Sequence, residues 1–316
     1  MDEFQLIRRF TRPAPRAGAG VLLGIGDDAA LLRPRRGQAL VATVDAVVEG
    51  VHFDARFRPE DVGWKALAVN LSDLAAMGAR PRWALCALAL PRGAAPARLL
   101  GVGRGLAACA RRFGVALVGG NVTRARELSL TVTALGEVPP RLALRRDGAR
   151  PGHLLLASGA LGDAALGLRR GAPAACIRRQ RRPEPRVALG LALRGLASAC
   201  IDVSDGLAQD LGHLCQASGV GAEVWALDLP TSRAFDRARL PPALRLELLV
   251  TGGEDYELLA SVPRRRVPRA LAAAAALGVP LSVVGEVTAG SGLRLRDLAG
   301  RPWQPRRAGH DHLRQG

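Results

Sequence analysis

Residues 65–79 read KALAVNLSDLAAMGA, and the interpretation of the rest of the chain starts from two polar side chains inside that apolar run. Extended backwards to residue 60, the stretch sets Trp64, Leu67, Ala68, Leu71, Leu74 and Ala75 at i, i+3, i+4, i+7 spacing, with Gly78 to close it. That pattern predicts a helix over 60–78 with one apolar face. Asn70 and Asp73 lie three apart in the segment from Ala66 to Ala79. A carboxylate in such surroundings is costly unless something neutralises it, so Asp73 is a candidate ligand for a cation.

Working outward, the apolar and β-rich runs predict strands at 39–44, 83–90, 115–118 and 128–137, and a second helix over about 96–112. Pro139, Pro140, Pro151 and Gly152 cluster into a seam, which predicts domains at 1–138 and 139–316. Beyond it, a strand at 154–158 and a helix near 162–169 precede an Arg/Pro-rich connection at 178–186 and a helix over about 187–199. Strand-like and helical pieces then alternate at 201–203, 205–217, 222–227, 246–250, 256–261, 266–277 and 281–287; after Gly300 no element is legible. The fold class is α/β in the mixed α+β sense, in two domains. A length of 316 residues suits that, at roughly 150 residues per domain.

Composition bounds the function. The chain is 48% hydrophobic and 23% charged, a globular balance. The net charge of +17 would ordinarily raise nucleic-acid binding, but it is spread through an Ala-, Gly-, Leu- and Pro-rich background, and Lys65 is the one lysine. Aromatics at 3% leave few stacking platforms, so no nucleic-acid partner is expected. The five cysteines are widely spaced in apolar runs and form no C-x-x-C pair, which reads as reduced, buried thiols. The N-terminus MDEFQLIRRF has acids where a signal peptide needs positive charge, and no apolar run approaches the roughly 18 residues of a membrane span. A cytoplasmic protein without a membrane partner is expected.

Other acids gather in short windows. Asp27 and Asp28 stand in GIGDDAALL, Asp45 in VATVDAVVEGVHF, Asp202, Asp205 and Asp210 in IDVSDGLAQD, and Glu254 and Asp255 in TGGEDYEL. Asp beside Gly is ordinary turn chemistry, and Ser204 before Gly206 could simply cap a helix. Together, carboxylates without matching Arg or Lys repel one another unless they face water or bind a cation, and hard oxygen ligands suit Mg²⁺ carrying phosphate. GIGDDA matches G-x-G-x-x-A, but Pro34 follows too soon for the helix a dinucleotide fingerprint demands. No G-x-x-x-x-G-K-[ST] and no G-x-S-x-G occurs, and Lys65 follows Trp64, which closes the P-loop, protein-kinase and serine-hydrolase routes.

In order, GIGDDAALL, the strand to Asp45 with VEGVHF, KALAVNLSDLAAMGA, LVGGNVTR, IDVSDGLAQDLGHL and TGGEDYELL resemble the thiamine-monophosphate kinase family from about residue 4 to 290. That family is grouped with aminoimidazole ribonucleotide synthetase and selenophosphate synthetase. The resemblance implies an N-terminal dimerising β-sheet or barrel domain, a C-terminal α/β domain and a homodimer. It implies transfer of the γ-phosphoryl of ATP to thiamine monophosphate by direct in-line attack, with Mg²⁺. Carried over by motif, Asp28, Thr43, Asp45, Asp73, Asn121, Asp202 and Asp205 fall at metal positions, with Asp73 and Asp205 catalytic. Gly120, Asn121, Arg146 and Ser204 fall at ATP positions, and His52 and Glu254 at substrate positions. The chain departs from the family pattern at Val44, at Asn121 where Asp is usual, at His153, and in a C-terminal GHDHL that lacks an aromatic residue. Asn121 is expected on a loop after the strand VALV, and its neutrality raises a second reading, a weakened homologue that binds thiamine phosphate or nucleotide without turnover.

Overall fold

The computed structural model describes residues 2–305 and 309. It divides into two compact units, one of residues 1–74 and 79–141, the other of 75–78 and 142–316. The first unit opens with α1 (Glu3–Thr11), which the sequence reading missed. The Asp2 side chain caps it by accepting from the Gln5 N–H at 2.7 Å. There follow β1 (Val21–Leu23), β2 (Leu31–Leu32), β3 (Ala39–Val48), α2 (Pro59–Ala76), β4 (Arg80–Leu90), α3 (Pro96–Phe113), β5 (Ala116–Arg124) and β6 (Ser129–Val138).

The four longer strands form a sheet in the order β3-β6-β4-β5, with β4 and β5 parallel and the other pairs antiparallel. One face carries buried Leu130, Val132 and Ala134 of β6 and Ala84, Cys86 and Leu88 of β4. Leu74 of α2 reaches Gly136 on that face. α2 and α3 pack backbone to backbone: a Cβ on Gly63 would meet the Val102 carbonyl at 1.9 Å, and one on Gly105 the Glu60 carbonyl at 1.9 Å. The other face is partly covered where Val21, Ala30 and Leu32 pack against Trp83, Ala116 and Val118. Along β3 it is open, with Leu40 half exposed and Val44 more so.

The second unit contains β7 (Leu154–Ser158), α4 (Asp163–Gly167), α5 (Ala174–Arg181), α6 (Val187–Leu193), β8 (Ala199–Val203), α7 (Leu207–Ser218), β9 (Gly221–Trp225), α8 (Arg233–Arg237), α9 (Pro242–Thr251), β10 (Glu257–Val262), α10 (Val267–Ala276), β11 (Leu281–Thr288), β12 (Gly292–Arg296) and β13 (Pro302–Trp303). Its strands order as β13-β12-β9-β11-β7-β10-β8, antiparallel except for β12 beside β9. Every residue of β8 and β10 is buried.

The structure corrects the sequence expectation at several points. The Arg/Pro-rich connection at 178–186 is helical up to Arg181, where Arg179 pairs with buried Glu257 and Gln180, itself buried, donates to Glu254. The helix expected over 187–199 stops at Leu193, where Gly195 takes a positive φ of 69°, and Ala199 already belongs to β8. The piece at 246–250 is the last half of α9. β13 lies in the tail thought featureless, while residues 310–313 of GHDHL fall outside the described residues. The largest change is at Gly119-Gly120-Asn121, expected as a loop but paired with β4 as far as Arg124. A Cβ on Gly120 would meet the Cys86 carbonyl at 2.0 Å, so this glycine serves a close strand approach rather than a turn.

Candidate active site

In the first unit, two elements bring predicted residues together. Thr43 and Asp45 alternate along β3 onto the face that α2 covers, and the Thr43 hydroxyl donates to Asp73 Oδ2 at 2.5 Å. One turn before Asp73, Asn70 is fully buried; its amide donates to the Ala66 carbonyl at 3.0 Å, while its Oδ1 has no hydrogen-bond partner. A buried acceptor without a donor is unusual. Asp28 lies exposed in the turn after β1, its N–H on Asp27 Oδ1 at 2.8 Å.

The ladder separates Asn121 from these residues. Asp45 is opposite Val132, Val132 opposite Cys86, and Cys86 opposite Gly120, so this row shares one face. Asn121 belongs to the next row, with Ala87, Thr131 and Ala46, and its side chain projects to the other face. His52 sits in the turn after β3, where its Nδ1 accepts the Val48 N–H at 3.2 Å.

In the second unit, Asp202 is buried at the end of β8 and leads into Ser204 and Asp205. The loop is held from within: Asp210 Oδ2 accepts the backbone N–H groups of Ser204, Asp205 and Gly206 at 3.0, 3.1 and 3.1 Å. Burial, then the charge of Asp205, pushes Asp210 up to about 7 against the pull of those three donors. Asp205 Oδ2 accepts from Gln209 at 3.0 Å. A second loop is fastened to this one. The Glu254 N–H donates to the Ser204 carbonyl at 2.7 Å and the Tyr256 N–H to the Val203 carbonyl at 2.8 Å. Gly253 permits the approach, since a Cβ there would stand 2.5 Å from the Ser204 carbonyl.

Glu254 and Tyr256 both adopt positive φ, 68° and 50°, a strained backbone for non-glycine residues. What holds them lies between and beside them. Asp255, buried, accepts the N–H of Gly162 at 2.7 Å and of Ala164 at 3.2 Å, and burial pushes it up to about 8. Glu257, fully buried, accepts from Ser158, from Arg186 Nε at 2.6 Å and Nη2 at 2.5 Å, and pairs with Arg179 at 3.3 Å. Gln180 donates to Glu254 Oε2 at 3.2 Å. Arg146 is exposed on the segment before β7.

Asp202, Ser204, Asp205 and Glu254 thus stand on two loops tied by backbone hydrogen bonds, as Thr43, Asp45 and Asp73 gather on α2 and β3. Sequence reasoning missed three supports: Asp210 as the anchor of its loop, Gln180 on Glu254, and Lys65 under the His52 turn. Lys65, as the sole lysine, and Asp210, inside an acidic window, left a signal; Gln180 left none. Among the described residues no group of three or more His, Cys, Asp or Glu is arranged to hold a metal by itself. The oxygen-only set at Thr43, Asp45 and Asp73 fits Mg²⁺ in its common mode, with one or two carboxylates from the protein and the remaining ligands from phosphate and water.

Comparison with known proteins follows the same division. Residues 26–138 match the N-terminal domain of AIR synthase related proteins and residues 150–297 the C-terminal domain. The chain is 42% identical over 297 residues to thiamine-monophosphate kinase of Escherichia coli strain K12, covering 91% of this chain and 90% of that one. A solved structure of thiamine-monophosphate kinase from Stenotrophomonas maltophilia K279a superposes with a TM-score of 0.85 at 43% identity, covering 93% of this chain and 96% of that one. That of AaThiL complexed with AMPPCP and TMP gives a TM-score of 0.77 at 30% identity, over 98% and 96%. Matched along nearly its whole length in sequence and in fold, the chain belongs to the thiamine-monophosphate kinase family.

Proposed function

We propose that this protein transfers the γ-phosphoryl group of ATP to thiamine monophosphate, giving thiamine diphosphate and ADP. The observation that carries the reading is the likeness over 98% of the chain to AaThiL complexed with AMPPCP and TMP, joined to the carboxylate loops at the matching motifs. A phosphate oxygen of thiamine monophosphate attacks the γ-phosphorus in line, that oxygen–phosphorus bond forms as the bond to the ADP oxygen breaks, and no phosphoenzyme intervenes. When bound, Mg²⁺ supplies charge neutralisation on the phosphoryl oxygens. Asp28, Thr43, Asp45, Asp73 and Asn121 are assigned to metal positions in the first unit, Asn121 also to the nucleotide, and Asp202 and Asp205 to metal positions in the second. Gly120 is assigned to an ATP position in the first unit, and Ser204 and Arg146 to ATP positions in the second, where Arg146 can offset phosphate charge. His52 in the first unit and Glu254 in the second are assigned to substrate positions, the carboxylate of Glu254 suiting a cationic ring. Residues 1–138 form the ATP-binding and dimerisation domain and 139–316 the C-terminal domain.

The homodimer is part of the proposal. β3 is an edge strand of its sheet, and its open face shows exposed Leu40, Ala42, Val44 and Ala46. An apolar sheet face at an edge is a surface that a second copy covers. No helix among the described residues is long and apolar enough to cross a membrane; the location proposed is the cytoplasm. The direct test is incubation with Mg-ATP and thiamine monophosphate, with thiamine diphosphate and ADP measured against a no-enzyme control. Binding without product would favour the weakened homologue, and a monomer in sedimentation at micromolar concentration would remove the dimer.

A further inference from the structure

Of the 45 lysine and arginine residues in the chain, one is lysine. Lys65 stands in α2 with 1% of its surface exposed. An ammonium is a compact head with three donors, whereas a guanidinium is a planar fork with five. In a chain that otherwise uses arginine, lysine at a fully buried position marks a place that the fork does not fit. Lys65 Nζ donates to the carbonyl of His52 at 3.1 Å and lies 5.6 Å from the centre of the Phe57 ring. These contacts with His52 and Phe57 fall on the segment that follows β3.

That segment folds back on itself. The His52 N–H donates to the Val48 carbonyl at 2.9 Å, the Gly50 N–H to the Phe53 carbonyl at 2.8 Å, and the Val48 N–H to His52 Nδ1. An Nδ1 that accepts from the backbone leaves the proton of the neutral ring on Nε2. The turn therefore sets both the direction and the tautomer of the imidazole, and the Lys65 ammonium is the side chain beneath the turn.

We propose that Lys65 is a positioning residue whose compact ammonium fixes the 48–53 turn and so presents His52 to the substrate; this rests on the assignment of His52 to the substrate. The experiment measures steady-state kinetics on Lys65→Met, Lys65→Arg, His52→Ala and the Lys65→Met/His52→Ala double variant. Backbone amide exchange is followed in Lys65→Met. Lys65→Met is expected to raise KM for thiamine monophosphate roughly ten-fold with KM for ATP within about two-fold, and the double variant to match His52→Ala. Lys65→Arg should fall with Lys65→Met. Exchange should quicken at residues 48–53 while β6 keeps its protection. Additive losses in the double variant, wild-type kinetics in Lys65→Arg, or unchanged exchange at 48–53 would each overturn the proposal. If His52→Ala leaves both KM values unchanged, the assignment of His52 falls, while quickened exchange at 48–53 still supports the hold of Lys65 on the turn.

Discussion

Glu257→Gln keeps the shape of a fully buried side chain and removes its charge. In the native cluster Glu257 Oε2 accepts from Ser158 Oγ and Arg186 Nε, both at 2.6 Å, and Oε1 from Arg186 Nη2 at 2.5 Å, with Arg179 3.3 Å away. Whichever oxygen becomes an amide nitrogen then points a donor at a guanidinium donor, and Arg186, with 13% of its side chain exposed, loses its counter-charge. Removing one partner of a buried pair costs about 3–5 kcal/mol. Residual exposure and the nearby charge of Glu184, which also favours charged Arg186, put this case near the lower end, about 3 kcal/mol. In a unit of this size that is a fall in melting temperature of roughly 6–12 °C. The assay is urea unfolding at neutral pH by far-UV circular dichroism, wild type against Glu257→Gln, with Glu257→Met/Arg186→Met as control. The double apolar variant should be less destabilised than Glu257→Gln, because it removes both charges of the buried pair, while Arg179, 30% exposed, keeps Asp163 at 4.0 Å. A Glu257→Gln loss below about 1 kcal/mol at unchanged m-value would show that Arg186 does not depend on this carboxylate, and the account of the cluster would fail.

Asp73→Asn should abolish most thiamine diphosphate formation while leaving the far-UV spectrum intact, since it swaps a charged ligand for a neutral isostere; wild-type turnover would return Asp73 to a purely structural role beside Thr43. Asp255, raised by burial to about 8 in the folded chain, contributes stability that is present below the ordinary carboxylate range and lost as pH rises through about 8. The urea midpoint should therefore fall as pH rises from about 5 to about 8 and level off above that, and Asp255→Asn should flatten that slope; a midpoint that does not move over this interval would contradict it. Asn121→Asp adds a charge on the order of 1–2 kcal/mol in effect at an effective dielectric near 20, so it should lower the Mg²⁺ concentration for half-maximal activity roughly ten-fold. Superimposable Mg²⁺ titrations would withdraw Asn121 from the metal set.

Much of this protein was legible in the order of its residues. The apolar period around residues 60–78 announced α2, and the acidic windows, each set against glycine, singled out Asp202, Asp205, Glu254 and Asp255, because 3.6-residue periodicity and local composition are properties of the sequence itself. The same windows in the same order carried the family. What the chain does at Gly119–Asn121 was not local: glycine in a turn and glycine pressed against a neighbouring strand look alike in sequence, and only the pairing of β5 with β4 distinguishes them. Which face Asn121 takes followed from that register, since a side chain's direction in a strand is decided by its place in the ladder. The supports were likewise tertiary. Gln180 lies 74 positions from Glu254, and Ser158 lies 99 from Glu257. Partners so far apart meet only when the chain has closed, so the sequence determined which groups could do chemistry, and tertiary packing decided which of them are held in place to do it.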